Sequence, residues 1–345
     1  MRIIIDAMGG DHAPDEIVLG AVNAVKDFDA ELVLVGRGAA ILEALRRKGI
    51  ENLPKGVEIA NAEDVVDMHD DPATVPRKRK DSSMVVGLRM VADGQGDAFI
   101  SAGSTGALLA SATLIVKRVH GIRRAAMAPV IPTATGRCIL IDCGANAEST
   151  PEFLMQFACM GSFFAKAELG LEKPRVALLN IGSEDTKGTT LQLETYPMLQ
   201  KLSDEGVINF IGNIEARDVP LGGADVVVAD GFAGNVLLKG IEGTAKLMSS
   251  FMKDMFKKTP LTKIGALLCK DGIRHIKDTM DYRQVGGTPL LGIMKPVIKA
   301  HGSSDALAIY HAVRQAVGAV KADMATQIAE HIGQMTLPKE PEHAE

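Results

Sequence analysis

Cysteine is scarce in this sequence, and its spacing excludes the common thiol-based sites. Cys138, Cys143, Cys159 and Cys269 are the four cysteines in 345 residues, and they form neither a CxxC pair nor a metal-ligand pattern. We therefore expect a reduced, cytoplasmic protein without a bound metal. The start MRIIIDAMGG lacks the charged and then apolar layout of a signal peptide, and no long apolar run predicts a transmembrane helix.

The sequence also lacks an excess of basic charge and the catalytic motifs of several enzyme families. The formal net charge is -5, so there is no global electrostatic argument for a nucleic-acid partner. The Gly-Arg-Gly at 36–38 is not a complete GxGxxG and gives only weak support for a dinucleotide site. Walker A, HExxH and GxSxG strings are absent, so ATPase, zinc protease and α/β-hydrolase activities have no support.

Apolar residues and glycine, in contrast, are plentiful. With 46% hydrophobic residues and 35 glycines in 345 positions, the chain can build a large core. Short apolar strands alternate with helical patterns, which predicts an α/β fold with a doubly wound, mostly parallel sheet. We expect one catalytic domain over 1–335 with a helical hairpin inserted at about 241–280, followed by a disordered tail at 336–345.

One type of strand-to-helix turn occurs repeatedly. The strand 98–101 runs into Gly103, Ser104, Thr105 and Gly106 before an apolar helix, a pattern that suits either an ordinary capped turn or an anion site at a helix start. Similar small, polar turns follow strands at 142–146, 182–188 and 230–235. Ligands of parallel sheets bind beyond the carboxyl ends of the strands, so we expect these turns to meet at one site.

Two basic clusters stand out against the slightly acidic whole. Each is either a solvated charge run or a surface for an anion or an acidic protein. Their members are Arg77, Lys78, Arg79 and Lys80 in the first, and Lys117, Arg118, Arg123 and Arg124 in the second.

The region 241–280 combines apolar helical stripes with lysines on either side of Pro260. Core packing or a dimer interface is one explanation for the stripes, and a basic amphipathic hairpin lying on an anionic membrane is the other. The membrane hypothesis assigns the contact to Leu261, Ile264, Leu267 and Leu268.

Six motifs give the chain a resemblance to a known family. They are DAMGGDHAP (6–14), SAGSTGALLA (101–110), IDCGAN (141–146), LLNIGSEDTKG (178–188), DGFAGN (230–235) and KAHGSSDA (299–306). Together they resemble the bacterial phosphate acyltransferase (PlsX) family, over nearly the whole chain and in the same order. The resemblance implies a fold similar to that of isocitrate and isopropylmalate dehydrogenases and of phosphate acetyltransferases.

The resemblance also implies a reaction and its partners. Members transfer a fatty acyl group from acyl-acyl carrier protein to inorganic phosphate, without a cofactor, and the acyl phosphate serves membrane phospholipid synthesis. The implied partners are acyl carrier protein, phosphate, a downstream membrane glycerol-3-phosphate acyltransferase, the membrane surface and a second copy in a homodimer. The protein would be cytoplasmic and peripherally associated with the membrane.

The chemistry of that reaction assigns roles to residue types. Phosphate is itself a nucleophile and a thioester is already activated, so the protein need only hold phosphate and stabilise an oxyanion. Lys187 is the expected cation and Asn235 the expected neutral donor, with a phosphate cradle at Gly103, Ser104, Thr105, Gly106 and Asn146.

Histidines and strand-end carboxylates complete the expected site. His12 or His301 either accepts a proton from the attacking phosphate or is a structural hydrogen-bonding residue. Asp6, Asp142 and Asp230 either orient Lys187 or cap their own turns.

Three other functions stay open on these residues. A decarboxylating dehydrogenase of the same fold needs a metal-binding aspartate cluster and a nucleotide site, whereas the aspartates here are scattered. A phosphate acetyltransferase would use acyl-coenzyme A, and a scaffold that docks carrier protein at membranes would need no chemistry at all.

Overall fold

The structure is a computed structural model that describes residues 1–279 and 282–335. Its strands, in chain order, are β1 (Arg2–Asp6), β2 (Glu31–Gly36), β3 (Val57–Asn61), β4 (Ala98–Ser101), β5 (Ala126–Met127), β6 (Val130–Thr133), β7 (Gly136–Ile141), β8 (Arg175–Asn180), β9 (Asn209–Glu215), β10 (Val226–Val228), β11 (Thr288–Leu291) and β12 (Val297–Lys299).

Helices connect most of these strands. They are α1 (Asp15–Asp27), α2 (Gly38–Arg47), α3 (Val75–Lys78), α4 (Ser83–Ala92), α5 (Thr105–Ser111), α6 (Pro151–Leu169), α7 (Thr190–Asp204), α8 (Gly231–Lys257), α9 (Pro260–Leu268), α10 (Lys270–Thr279), α11 (Ala306–Ala322) and α12 (Met324–Glu330). Helix α5 continues into a π-helical turn at Ala112–Val116, and 3-10 turns lie at Tyr282–Gln284 and Ile332–Gln334.

The described strands form two sheets. The first has the order β3-β2-β1-β4-β12-β11-β5, and the second has the order β6-β7-β10-β8-β9. Pairing is parallel except for β11, which is antiparallel to β12 and β5, and for β6, which is antiparallel to β7. The predicted α/β class with mostly parallel strands is confirmed, although the strands are divided between two sheets rather than collected in one.

Both sheets are covered by helices because their strands are apolar on both faces. In β1, Ile3, Ile4 and Ile5 are fully buried, and they pair in register with the apolar residues of β2 and β4. Helices α1 and α11 pack on one face of the first sheet and α4 and α5 on the other. Continuous apolar strands of this kind are typical of parallel sheets in α/β proteins.

The second sheet is covered by α6 and α7 on one face and by the start of α8 on the other. Gly231 and Gly234 are the buried residues of α8, which shows that only its beginning is embedded in the core. An added Cβ at Gly234 would lie 1.9 Å from the carbonyl oxygen of Asp142. The glycine therefore lets α8 start directly against the turn that follows β7.

Three helices, α8, α9 and α10, occupy the described part of the region 241–280, where a helical hairpin was expected. Helix α8 begins at Gly231, directly after the second sheet, and continues for 27 residues. Pro260 lies between the two apolar stripes as expected, since α8 ends at Lys257 and Pro260 is the first residue of α9; α10 follows. Across 1–279 and 282–335 the helices lack an apolar stretch long enough to cross a membrane. The tail predicted at 336–345 lies outside the described residues.

Replacing Gly234 by alanine is expected to destabilise the protein by about 1–3 kcal/mol, since the new methyl group overlaps the Asp142 carbonyl and must displace α8. The matched control is Gly243→Ala in the same helix, where nothing lies within 4 Å of an added Cβ. That change should stabilise the helix by about 0.5–1 kcal/mol. Urea denaturation followed by circular dichroism measures both free energies, and equal effects would contradict the close contact.

Candidate active site

A cleft of about 790 Å³ lies between the two sheets, at the carboxyl ends of β1, β4 and β12. One wall consists of the turns that follow these strands, and the other consists of β6, the turn after β7 and the first half of α8. The polar and charged residues that line it include Asp11, Thr105, Asn235, Lys239, Glu242, Lys299 and His301. The structure thus brings strand ends from both sheets to one cavity, as expected for a parallel α/β protein.

Asp6 holds the turns on the first wall in place. Its carboxylate is 2% exposed and accepts hydrogen bonds from the amides of Met8 and Gly9, both at 3.1 Å, and from the Ser101 hydroxyl at 2.7 Å. Burial raises the pKa of Asp6, whereas these hydrogen bonds lower it. The carboxylate therefore ties the turn after β1 to the end of β4 and does not contact the cleft solvent.

Lys299 is a functional candidate that the sequence did not single out. It is 8% exposed at the end of β12, and its Nζ donates to the carbonyl oxygens of Ala102, at 3.5 Å, and Ala300. Burial lowers the pKa of Lys299 to about 8, although the carboxylates of Asp6 and Asp11 act in the opposite direction. A buried ammonium in the wall of a cleft is a strong attractor for an anion.

A signal for Lys299 was available in the sequence. It directly follows Val297 and Ile298, which are fully buried, and Ala300 after it is buried too. A lysine inside so short an apolar run is unusual because its charge must then be partly removed from water. This lysine is also the first residue of the KAHGSSDA motif, whose histidine, His301, is an expected site residue.

His301 reaches the same cleft from the turn after β12. Its Nδ1 accepts a hydrogen bond from the Ser303 amide at 3.2 Å and lies 2.8 Å from the Ser303 hydroxyl. Partial burial and the nearby charges of Lys239 and Lys299 lower the pKa of this imidazole. The neutral ring therefore carries its proton on Nε2, which favours a role as hydrogen-bond donor over a role as general base at that nitrogen.

Asn235 faces the cleft from the opposite wall. It lies in the first turns of α8, and its side chain is within 4 Å of the position that a Cβ on Gly144 would occupy. Asp230 caps this helix by accepting a hydrogen bond from the Ala233 amide at 2.9 Å. One turn further on, Lys239 forms an ion pair with Glu242 at 2.8 Å. The start of α8 thus carries an amide and a paired cation toward the cleft.

The other residues of the expected cradle hold the turns around the cleft. Ser104 caps α5 through the Ala107 amide at 3.5 Å, and Gly106 packs against the ring of Pro72. The Asn146 amide donates to the Ala125 carbonyl at 2.8 Å and to Asp142 at 3.0 Å. Gly103 and Thr105, in contrast, line the cleft itself.

Asp142 resembles Asp6 in its role on the second sheet. It is fully buried and accepts hydrogen bonds from the amides of Met127, Ala145 and Asn146, at 2.8, 3.2 and 2.7 Å. Burial raises the pKa of its carboxyl group, and the hydrogen bonds lower it. The expected orienting carboxylates, Asp6, Asp142 and Asp230, thus accept hydrogen bonds from backbone amides of their own turns. His12, another expected site residue, is exposed beside Asp11.

Lys187 lies in the exposed loop between β8 and α7, where its carbonyl accepts a hydrogen bond from the Asn180 amide at 3.0 Å. Because β8 and β10 are adjacent and parallel, the loop that carries Lys187 and the helix that carries Asn235 both follow strands that end at the same sheet edge. Asn180 and Gly188 border a second, apolar cavity of about 1020 Å³ beside α8. The Lys187 loop therefore meets that cavity, whereas Asn235 faces the cleft.

The first basic cluster is divided in the structure. Arg79 forms ion pairs with Asp64 at 3.3 Å and with Asp70 at 2.9 Å. Arg77, Lys78 and Lys80 are exposed to solvent. The segment 65–68 lines the cleft, and the Arg79–Asp64 ion pair and the bridge between Asp64 and Ser82 hold the cluster next to the start of this segment.

In the second cluster, the three arginines have intramolecular contacts. Arg123 forms an ion pair with Glu152 at 3.0 Å, and Arg124 lies over the ring of Phe153 at 5.7 Å from its centroid. Arg118 donates to the carbonyl oxygen of Arg123. These arginines stabilise the segment that precedes β5, and they also add positive charge to the surface.

Comparison with known proteins identifies the family. The family model described as "Fatty acid synthesis protein" matches residues 1–327. A phosphate acyltransferase from Desulfitobacterium hafniense is 46% identical over 99% of this chain and 100% of the relative, and one from Alkaliphilus oremlandii is 47% identical over 97% of each. A phosphotransacetylase from Streptococcus pyogenes, 19% identical, shares the fold with a TM-score of 0.61 over 95% of this chain and 94% of its own. The chain therefore belongs to the phosphate acyltransferase family and is an acyltransferase enzyme.

Proposed function

We propose that the protein transfers a fatty acyl group from the thioester of acyl carrier protein to inorganic phosphate, giving acyl phosphate for membrane phospholipid synthesis. The observation that carries this proposal is the cleft, in which the buried Lys299, the amide of Asn235 and the turn at 103–105 surround one space. A cation and backbone amides suit an inorganic oxyanion, and a neutral amide suits the oxyanion of a tetrahedral intermediate. The family relationship supports phosphate as the acyl acceptor.

The reaction needs no covalent enzyme intermediate. A phosphate oxygen attacks the thioester carbon, forming the new C–O bond and a tetrahedral oxyanion. Collapse of this intermediate breaks the C–S bond, and the proton of HPO4²⁻ is transferred in net terms to the departing sulfur. The protein contributes by holding the two reactants together and by stabilising the oxyanion.

Each cleft residue has a role in this scheme. Lys299 and the turn at Gly103 and Thr105 hold the phosphate, and the Nε2–H of His301 donates to it. Asn235 donates to the oxyanion from the opposite wall. Lys187 stays a prediction as a second cation; it lies in the exposed loop between β8 and α7, next to residues that line the apolar cavity.

Surface charge supports docking of the carrier protein next to the cleft. Acyl carrier proteins are typically acidic, and Arg77, Lys78 and Lys80 present exposed positive charge on the segment that Arg79 and Ser82 attach to Asp64, the residue before the cleft segment 65–68. Complementary charge accelerates encounter and orients the partner. We therefore favour this cluster over Arg118, Arg123 and Arg124, whose side chains already contact the protein itself.

The exposed apolar face of α9 supports release of the product at a membrane. Leu261, Leu267 and Leu268 are 79%, 70% and 82% exposed, and none of the residues of α9 is buried. Lys258 and Lys263 lie on or next to this helix and would face anionic headgroups. An acyl phosphate with a long chain is apolar and labile, so release beside a membrane acyltransferase limits its hydrolysis.

The activity is tested by thiol release. Full-length protein with palmitoyl-acyl carrier protein should release free carrier thiol only when phosphate is present, and palmitoyl-coenzyme A should be the poorer donor. Asn235→Ala should lower kcat about 100- to 1,000-fold, as expected for loss of one oxyanion donor. A preference for coenzyme A would support an enzyme of the phosphate acetyltransferase type, and the absence of thiol release would leave only a scaffold role.

Phosphate affinity should depend on the charge of Lys299. Because the pKa of this amine is about 8, it loses its proton above pH 8, and the affinity of the free enzyme for phosphate should then fall about tenfold per pH unit. Calorimetric titration with phosphate between pH 7 and 9.5 measures this. Lys299→Arg keeps its charge and should lack the decline, and Lys299→Met should bind weakly at every pH. A wild-type profile parallel to that of Lys299→Met would contradict the assignment.

Membrane association should depend on α9. The triple variant Leu261→Glu, Ile264→Glu and Leu268→Glu should partition onto phosphatidylglycerol vesicles at least about tenfold less in sedimentation assays, since three exposed apolar side chains are replaced. Leu221→Glu is the control, because Leu221 is also exposed, at 64%, but lies far from α9 in the sequence, before β10. If the triple variant binds vesicles as the wild-type protein does but has a lower molecular mass than the wild-type protein in solution, the α9 face is a dimer interface instead.

A further inference from the structure

The apolar cavity beside α8 has no role in the reaction as described above. Its floor is one face of α8, formed by residues at every fourth position: Phe232, Val236, Gly240, Thr244, Met248 and Met252. The opposite wall includes Leu179, Ile181, Ala216 and Pro220. We call this cavity, with these residues, the α8 groove.

The α8 groove adjoins the cleft. Ile241 and Ala245 line both cavities, so the two spaces meet along α8 at these residues. Asn235 and Ile241 are six residues apart on the helix, which corresponds to about 9 Å along its axis. A molecule with its reacting group in the cleft can therefore extend past Ile241 into the groove.

The size and lining of the α8 groove suit a long apolar chain. Its volume of about 1020 Å³ lies at the upper end of the usual range for ligand pockets, about 300–1,000 Å³. Twenty residues of α8 separate Phe232 from Met252, a length of about 30 Å. Phe232, Val236 and Met248 are 69%, 57% and 53% exposed, so considerable apolar surface is open to a ligand.

Gly240 keeps the middle of the groove open. Nothing lies within 4 Å of an added Cβ at this position, so packing against the protein does not require a glycine. Glycine is unfavourable in the interior of a helix. Its presence in the row of floor residues leaves room for a ligand where a side chain would otherwise project.

We propose that the α8 groove binds the fatty acyl chain of the thioester donor and of the acyl phosphate product, with the carbonyl carbon in the cleft near Asn235. This inference rests on the proposed function and adds a subsite to it. A ligand with a polar end and a long apolar tail matches both cavities at once, because one is charged and the other is apolar.

The test compares two glycines of the same helix. Gly240→Phe places a ring in the α8 groove, whereas Gly243→Phe lies outside the lining of both cavities, and an added Cβ meets nothing within 4 Å at either position. The probe is cis-parinaric acid, a fluorescent long-chain fatty acid, titrated into the full-length protein. Gly240→Phe should weaken its binding at least tenfold, and Gly243→Phe should change it less than twofold.

A second measurement uses chain length. With acyl-carrier-protein donors, Gly240→Phe should lower kcat/KM for a 16-carbon chain at least tenfold relative to an 8-carbon chain, and Gly243→Phe should leave this ratio unchanged. Equal behaviour of the two variants would overturn the proposal. A change of molecular mass in sedimentation equilibrium, specific to Gly240→Phe, would overturn it in favour of an interface between copies.

Failure of the subsite can be told apart from failure of the proposed function. The fatty-acid titration requires no catalysis, so selective loss of binding in Gly240→Phe supports the subsite even if the wild-type protein releases no thiol with phosphate. Thiol release by the wild-type protein with no difference between the two variants would instead support the function and reject the subsite.

Discussion

The contact between the first turn of α8 and the turn after β7 is the constraint on which the site depends. Gly231 and Gly234 let the helix backbone approach Asp142 and Asn146 more closely than any side chain would permit, and Asp230 caps the same end. This contact sets the direction in which α8 leaves the second sheet. The position of Asn235, the opposite wall of the cleft and the floor of the α8 groove all follow from that direction, since they lie on one rigid helix.

A second constraint is the burial of charged groups where strands end. Asp6 and Asp142 are almost fully buried, and their charge is offset by backbone amides of the turns they hold. Lys299 has carbonyl oxygens as hydrogen-bond partners, but its burial lowers the pKa of the ammonium and costs folding free energy. Such a cost is common at functional sites, where a poorly solvated cation binds an anion more strongly than an exposed one does.

Much of this arrangement could be predicted because it is local in sequence. Alternation of apolar runs and helical patterns predicted the α/β class, and small, polar turns after strands predicted where ligands would bind. The structure brings Gly103, Thr105, Asn235 and His301 to one cleft. Lys299 was missed because a lysine at a strand end is usually exposed, and its burial depends on elements far away in the sequence, such as the turn at Ala102. The ion pairs of Arg79 with Asp64 and Asp70 could not be predicted either, because they depend on how the loop folds.

By itself, the sequence determined the class of fold, the family and the stretches that form turns, because these depend on the order of residue types along the chain. Only the tertiary structure decided that the strands form two sheets, that Asn235 faces the cleft while the loop of Lys187 adjoins the apolar cavity, and that the apolar face of α8 forms a groove adjoining the cleft. The physical reason is that a cavity consists of the space between elements. Its shape depends on how helices and sheets pack against one another, and residues distant in sequence contribute to each wall.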